Sequence, residues 1–169
     1  MKRVVFFMSV SLDGFFEGPN HELDWHLVDD EFNAHAVAML KAADTLIMGR
    51  ITYELMAGYW PTATGDYPAV AELMNNTPKL VFSRTLKSVD WQNSRLATGS
   101  IADEVARLKQ APGDGLIHVG GNELAMEFLE KGLIDEIRII LTPIVLGSGN
   151  SLFAGLQKRC SLNLLSTRV

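Results

Sequence analysis

The chain has 169 residues, 47% of them hydrophobic and 21% charged, with a net charge of −5. That length supports one domain spanning residues 1–169, and a chain of this size buries roughly 70% of its unfolded surface, enough for a core without staples. The acidic balance argues against nucleic acid as the main partner, no stretch approaches the ~20 apolar residues of a membrane span, and the single cysteine excludes a disulfide framework and fits a reducing cytoplasm.

Lys2-Arg3 followed by VVFFMSV mimics the charged and apolar regions of a signal peptide, but the run is short, Asp13 follows soon, and no small-residue cleavage site appears. VVFFMSVSL (4–12) reads instead as an interior strand, near-continuously apolar and rich in β-branched and aromatic residues. Turn formers follow at Asp13-Gly14 and Gly18-Pro19-Asn20. The apolar spacing of Phe32, Ala36, Met39, Leu40 and Ala43 predicts a helix over 29–43, with acids at its start and Lys41 near its end to complement the macrodipole.

TLIMG (45–49) predicts a short buried strand and 50–58 a helix, with a loop over 59–66 and a short helix over 68–75. KLVFS (79–83) predicts a strand, and the weakly periodic 87–99 predicts short edge strands. Ser100 and Asp103 resemble a capping box ahead of the stripe Ile101, Val105, Leu108, and Pro112-Gly113 ends that helix. A strand at 115–120, a helix at 122–131 and a strand at 136–147 complete the alternation, with Gly132 placed as a left-handed residue after the helix. LNLLSTRV closes the chain as a further strand over 161–169. Strands alternating with helices predict an α/β fold with a mostly parallel sheet.

Three predicted strand ends carry the chemistry. Gly49, Arg50 and Thr52 place a glycine, a cation and a hydroxyl beside the free N–H groups of a helix start, which suits a pyrophosphate; an ordinary helix N-terminus reads from the same spacing. Ser83 and Arg84 follow the next strand; in a dinucleotide site such an arginine accepts the 2′-phosphate of NADP, and alone the pair is a solvated turn. Gly120-Gly121-Asn122 is neither a G-x-G-x-x-G fingerprint nor a Walker loop, and a Gly-Gly pair also serves close helix–sheet packing. Their joint placement after three strands is the stronger signal, because α/β ligands bind at the carboxyl ends of strands.

The polar group His21, Glu22, Asp24 and His26 has no metal-ligand spacing and reads as a solvated loop. Trp25, Tyr53, Trp60 and Tyr67 read as pocket wall or as packing, His118 as a satisfied buried histidine, and Cys160 as a buried small hydrophobe.

Taken in order, MSVSLDG (8–14), LIMGRITYE (46–54), LVFSRTL (80–86), HVGGNEL (118–124) and GLIDEIRIILTPIVLGSGNSLF (132–153) resemble the dihydrofolate-reductase-like superfamily. Within it they are most similar to the reductase that forms the C-terminal domain of the riboflavin-biosynthesis protein RibD. The resemblance implies a three-layer fold, a mostly parallel central sheet flanked by helices, with antiparallel C-terminal strands. It implies NADPH as hydride donor, with Gly49, Arg50 and Thr52 at the pyrophosphate and Ser83 and Arg84 at the 2′-phosphate. Gly120, Gly121, Asn122 and Glu123 would pass beside the pyrophosphate and nicotinamide ribose, and Val10 and Ser11 would lie near the nicotinamide. Asp13 and the loop Gly147, Ser148, Gly149 would border the substrate.

In the riboflavin reductase, hydride reduces a ribose carbon of 5-amino-6-(5-phosphoribosylamino)uracil. The resemblance also implies a homodimer with late strands at the interface. The zinc-deaminase half of the bifunctional enzyme is absent, so the reductase step is the most this chain carries. No dense basic cluster stands in the sequence to hold a phosphoribosyl group. Two other readings share the fold: a nucleotide-binding or regulatory protein without turnover, and a dihydrofolate reductase-like activity.

Overall fold

The computed structural model describes residues 1–63, 65 and 67–168. In chain order the elements are β1 (Val4–Ser11), β2 (Phe15–Glu17), α1 (Asp30–Lys41), β3 (Ala43–Gly49), α2 (Arg50–Tyr59), a 3-10 turn (Trp60–Thr62), α3 (Pro68–Asn76), β4 (Lys79–Phe82), β5 (Ser94–Leu96), α4 (Ile101–Gln110), β6 (Leu116–Gly120), α5 (Asn122–Glu130), β7 (Glu136–Thr142) and β8 (Asn150–Ser151).

β1 is buried along most of its length because it lies inside the sheet, between β6 and β7. Asp29 caps α1 by accepting the Phe32 amide at 2.8 Å. Ser100 caps α4 by accepting the Asp103 amide at 3.2 Å and donating to the Asp103 carboxylate at 2.7 Å. Both caps satisfy amides that the first turn of a helix leaves free. Pro143 ends β7 five residues before the predicted limit, since it has no N–H for a ladder.

Six strands form one sheet in the order β5-β4-β3-β6-β1-β7, and every neighbouring pair is parallel. Side chains alternate to two cores. Val4, Phe6, Ile47, Leu80, Ile117 and Val119 pack with Val105 of α4 and Phe128 of α5 on one face. Leu46, Met48 and Val81 pack with Leu40 of α1, Tyr53 of α2 and Met74 of α3 on the other. From β3 the chain steps outward to β4 and β5; it then returns to β6 and continues the opposite way to β7. The helices leaving the neighbours β3 and β6 therefore depart to opposite faces. A sheet that reverses in this way opens a crevice at the carboxyl ends of the two strands.

The expected antiparallel C-terminal pairing is present as the short β2–β8 pair beside the main sheet. Two expectations are corrected, and the first is the terminal strand: residues 161–168 form none. Leu162, Leu164 and Leu165 stay exposed there: alternating apolar residues make a strand only where a neighbour accepts their backbone hydrogen bonds. Position 169 lies outside the described residues. Cys160, directly before that segment, is exposed rather than buried. Among the described residues no helix is long and apolar enough to cross a membrane.

Candidate active site at the carboxyl ends of the strands

The register brings the predicted strand-end residues into one row. Gly49 pairs with Phe82, so Ser83 and Arg84 emerge beside Arg50. Met48 pairs with Gly120, so the Gly-Gly turn emerges on the other side of β3. Phe6 pairs with Val119, which leaves β6 ending near Phe7 while β1 runs on to Ser11, held throughout by β7. Four further residues of strand rise roughly 13 Å. β1 and β7 thus stand as a wall beside the shorter β3 and β6.

Gly121 sits at φ +88°, a conformation that favours glycine, and a Cβ there would overlap the Thr52 hydroxyl. Thr52 fills the place of that missing side chain and locks the start of α2 to the start of α5. Gly49 serves differently. Its backbone is extended, φ −79° and ψ 170°, which any residue adopts, and a Cβ would meet nothing within 4 Å. Gly49 thus leaves open space in front of a helix N-terminus.

Two helix N-termini, α2 and α5, face the crevice side by side. Their free N–H groups and dipoles favour an anion there. α2 has no acid in its first turn and begins with Arg50, a cation placed against the dipole. Arg50 pairs with Glu54 at 2.8 Å, both side chains 43–48% exposed, so the pair itself contributes little. The Asn122 amide oxygen at the first turn of α5 is buried with no hydrogen-bond partner among the described residues. Glu123 beside it is exposed.

Ser83 is used locally: its hydroxyl accepts the Thr85 and Leu86 amides at 3.1 and 2.9 Å and shapes the turn that presents Arg84. Arg84 is exposed and has no ion-pair partner among the described residues.

On the β1 side, the Val10 side chain lies in the core, leaving its backbone to line the crevice. The Ser11 hydroxyl donates to Asp13 at 2.7 Å and accepts the Phe15 amide at 3.0 Å. Asp13 accepts in turn from the Leu146 amide at 3.1 Å and the Gly147 amide at 2.8 Å. Partial desolvation pushes its carboxyl up, but the Ser11, Gly147 and Leu146 hydrogen bonds outweigh that and hold it below the ordinary range. Asp13 therefore anchors the 143–149 loop to the end of β1, and three of its roughly four acceptor positions are taken. Leu12 reinforces the tie, donating its amide to the Ile144 carbonyl at 2.8 Å. The loop then passes so close to β2 that a Cβ on Gly149 would strike the Glu17 carbonyl, while Ser148 stays exposed at its tip.

Several polar residues surprise. His118 is 94% buried as expected, but its Nε2 has no partner among the described residues. Burial, assisted by the nearby Arg138 charge and opposed by Glu136, pushes its pKa down to about 4. Tyr53 and Trp91 belong to the core, whereas Trp25 is partly exposed. Two surface hollows, one walled by Trp91 and Asn75 and one by Arg3, Lys41 and Asp44, lie at the amino ends of the strands, the wrong end for a ligand in a parallel sheet. Among the described residues no cluster of His, Cys, Asp and Glu is suited to a metal ion.

The sequence matches the RibD C-terminal domain family over residues 2–169. This chain belongs to that family. It is 34% identical to the uncharacterized protein YyaP of Bacillus subtilis, across 99% of this chain and 88% of that protein. It is 30% identical to YwjB of the same organism, across 99% and 91%. Among solved structures it is similar to a putative riboflavin biosynthesis protein from Shewanella sp. PV-4, with a TM-score of 0.76 and 29% identity over 99% of this chain and 92% of that one. It also shares the fold of a bifunctional Thermotoga maritima deaminase and 5-amino-6-(5-phosphoribosylamino)uracil reductase, TM-score 0.66 at 16% identity, covering 96% of this chain and 51% of that one.

Proposed function

We propose that the chain is an NADPH-dependent reductase of a small heterocyclic or ribosyl acceptor, related in chemistry to the reductase of riboflavin biosynthesis. One observation carries this reading. The glycine turns of β3 and β6 meet at the point where the sheet reverses, with two helix N-termini, Arg50 and Arg84 around them. That arrangement fits a dinucleotide: open space at Gly49, a side-chain-free backbone at Gly120–Gly121, and cations at the places a pyrophosphate and a 2′-phosphate require.

NADPH would supply the hydride. The protein's part is positioning. Arg50 and the α2 and α5 amides hold the pyrophosphate; Arg84, presented by the Ser83 turn, holds the adenosine phosphate; Asn122 and Glu123 border the ribose. The backbone of Val10 and Ser11 supports the nicotinamide against the β1 wall. Asp13 sets the Gly147–Gly149 loop that borders the acceptor. We further propose that two copies pair along β7, one of the two edge strands of the sheet.

Removing the Arg84 cation deletes charge-assisted hydrogen bonds worth about 1.5–3 kcal/mol. Arg84→Ala should therefore weaken NADPH by about tenfold or more and leave NADH within about twofold, read by nicotinamide fluorescence titration. Arg50→Ala should weaken both cofactors. Equal loss for both in Arg84→Ala would overturn the 2′-phosphate assignment. NADPH oxidation with the aminouracil, dihydrofolate and carbonyl compounds separates a reductase from a nucleotide binder without turnover.

A further inference from the structure

Charge is divided sharply between the two halves of the crevice. No Lys or Arg occurs between Arg3 and Lys41, a stretch that holds seven carboxylates from Asp13 to Glu31. It contains everything that emerges from the carboxyl end of β1: the β2 hairpin, the loop after it, and the start of α1. Residues 139–157, from β7 through its loop to β8 and beyond, carry no charged side chain at all. Of the cations at the carboxyl end, Arg50, Arg84 and Lys87 sit on the β3–β4 side, and Arg168 reaches Glu31 on the β1 side. Lys2, Arg3, Lys41, Lys79 and Lys109 gather at the amino ends of the strands.

The carboxylates of the β1 side are also poorly compensated. Asp13 is held by a hydroxyl and two amides, Glu22 by Asn20, and Asp29 by the Phe32 amide, all neutral donors. Glu17 bonds Asn150 and His21, and among the described residues Arg168 alone brings a permanent cation, to Glu31 at 2.5 Å. Exposed apolar side chains stand among them: Leu12 and Leu27 are each 61% exposed. A face of one charge sign that borders a low-dielectric cleft repels ligands of the same sign.

We propose that the acceptor half of this crevice selects a neutral or cationic ring compound and rejects a phosphorylated one, so that phosphate recognition here belongs to the cofactor half alone. This rests on the reductase reading and narrows it, since the phosphoribosyl group of the riboflavin intermediate would meet the anionic half. The apolar side chains take the faces of a ring, and the carboxylates favour an amino or protonated ring nitrogen.

The test uses the NADPH-loaded protein at low ionic strength, where exposed charges act over the longest range. Emission of the bound nicotinamide is quenched with thallous ion, acrylamide and iodide, each normalised to free NADPH. The cation should quench several-fold more effectively than iodide, with acrylamide between them. The order should reverse in Asp24→Lys/Asp30→Lys, with Asp24→Asn/Asp30→Asn as the milder variant showing a narrowed ratio. Direct titration with 5-amino-6-(ribosylamino)uracil and its 5′-phosphate should favour the unphosphorylated compound by about tenfold. Iodide quenching equal to the cation's, an order unmoved by charge reversal, or tighter binding of the phosphate compound would overturn the proposal while leaving the reductase reading intact. If neither uracil binds, the quencher order decides. Failure of the protein to alter NADPH emission overturns the reductase reading itself, and the proposal with it.

Discussion

His118 and Glu104 show how a side chain's role depends on what surrounds it in space. Glu104 lies in the first turn of α4, where an acid reads as a solvated dipole partner, yet it is fully buried. It accepts from Arg95 at 2.8 Å, from the Thr98 and Gly99 amides at 3.0 and 3.2 Å, and from Arg107 at 3.2 Å. The Arg95 hydrogen bond leads in holding its pKa down to about 2, with the two amides and the Arg95 charge adding to it against desolvation. Glu104→Ala should cost about 3 kcal/mol in urea unfolding, because two amides lose their acceptor.

The same two groups contribute to the acid dependence of stability. His118 titrates near 4 when folded and near 6.5 when unfolded, so the unfolded chain binds the extra proton between those values and stability falls as pH drops from 6.5 to 4. Glu104 is depressed as well; its contribution is complete above its unfolded pKa and is lost as pH falls from about 4.5 to 2. His118→Leu should flatten the stability profile between pH 6.5 and 4 and leave the steeper loss below 4.5, measured by denaturant melts across pH. An unchanged slope between 6.5 and 4 would show that another group titrates there.

Elements differ in how much of themselves they reveal. α1 and α4 are legible because their caps and stripes are local: Asp29 and Ser100 act on residues three positions away. β6 and its Gly-Gly turn are legible as a strand end, but the reason for Gly121 is not. It lies in Thr52, on another element, and only the adjacency of β3 and β6 creates that contact. Gly121→Ala should destabilise the protein by about 1–3 kcal/mol through its left-handed backbone and the Thr52 overlap. Gly49→Ala, which meets nothing, should cost little stability and still weaken NADPH. A Gly49 variant with unchanged NADPH affinity would remove that turn from the site.

Asp13 and the segment 161–168 both depend on distant partners. Asp13 reads as a residue bordering the substrate, and its carboxylate is held by amides more than 130 residues away. Residues 161–168 read as a strand because they alternate, and remain irregular because no edge pairs with them. Asp13→Ala should loosen the 143–149 loop, seen as faster amide exchange at Leu146 and Gly147. The core amides of β1 should keep their protection.

At the scale of the whole molecule, β7 is the exposed outer strand of the sheet, with Ile139 43% and Leu141 56% exposed on one face. A seven-residue edge strand with four apolar residues invites pairing with another chain. Sedimentation should therefore give a dimer, and Ile139→Lys/Leu141→Lys should shift it to monomer without abolishing NADPH binding. A wild-type monomer at micromolar concentration would refute pairing along β7.

By itself the sequence determined the alternation of strands and helices, the caps, and three glycine or arginine strand ends. Each of these is written in residues within a turn or two of one another, where hydrogen-bond geometry and apolar periodicity are local. Only the tertiary structure decided the strand order, which makes Gly49–Thr52, Ser83–Arg84 and Gly120–Asn122 neighbours and sends their helices to opposite faces. It also decided which acids are free, which ring nitrogens are left without a partner among the described residues, and that the β1 side of the crevice is anionic. Those properties depend on contacts between residues up to 137 positions apart, and burial, not composition, sets their energies.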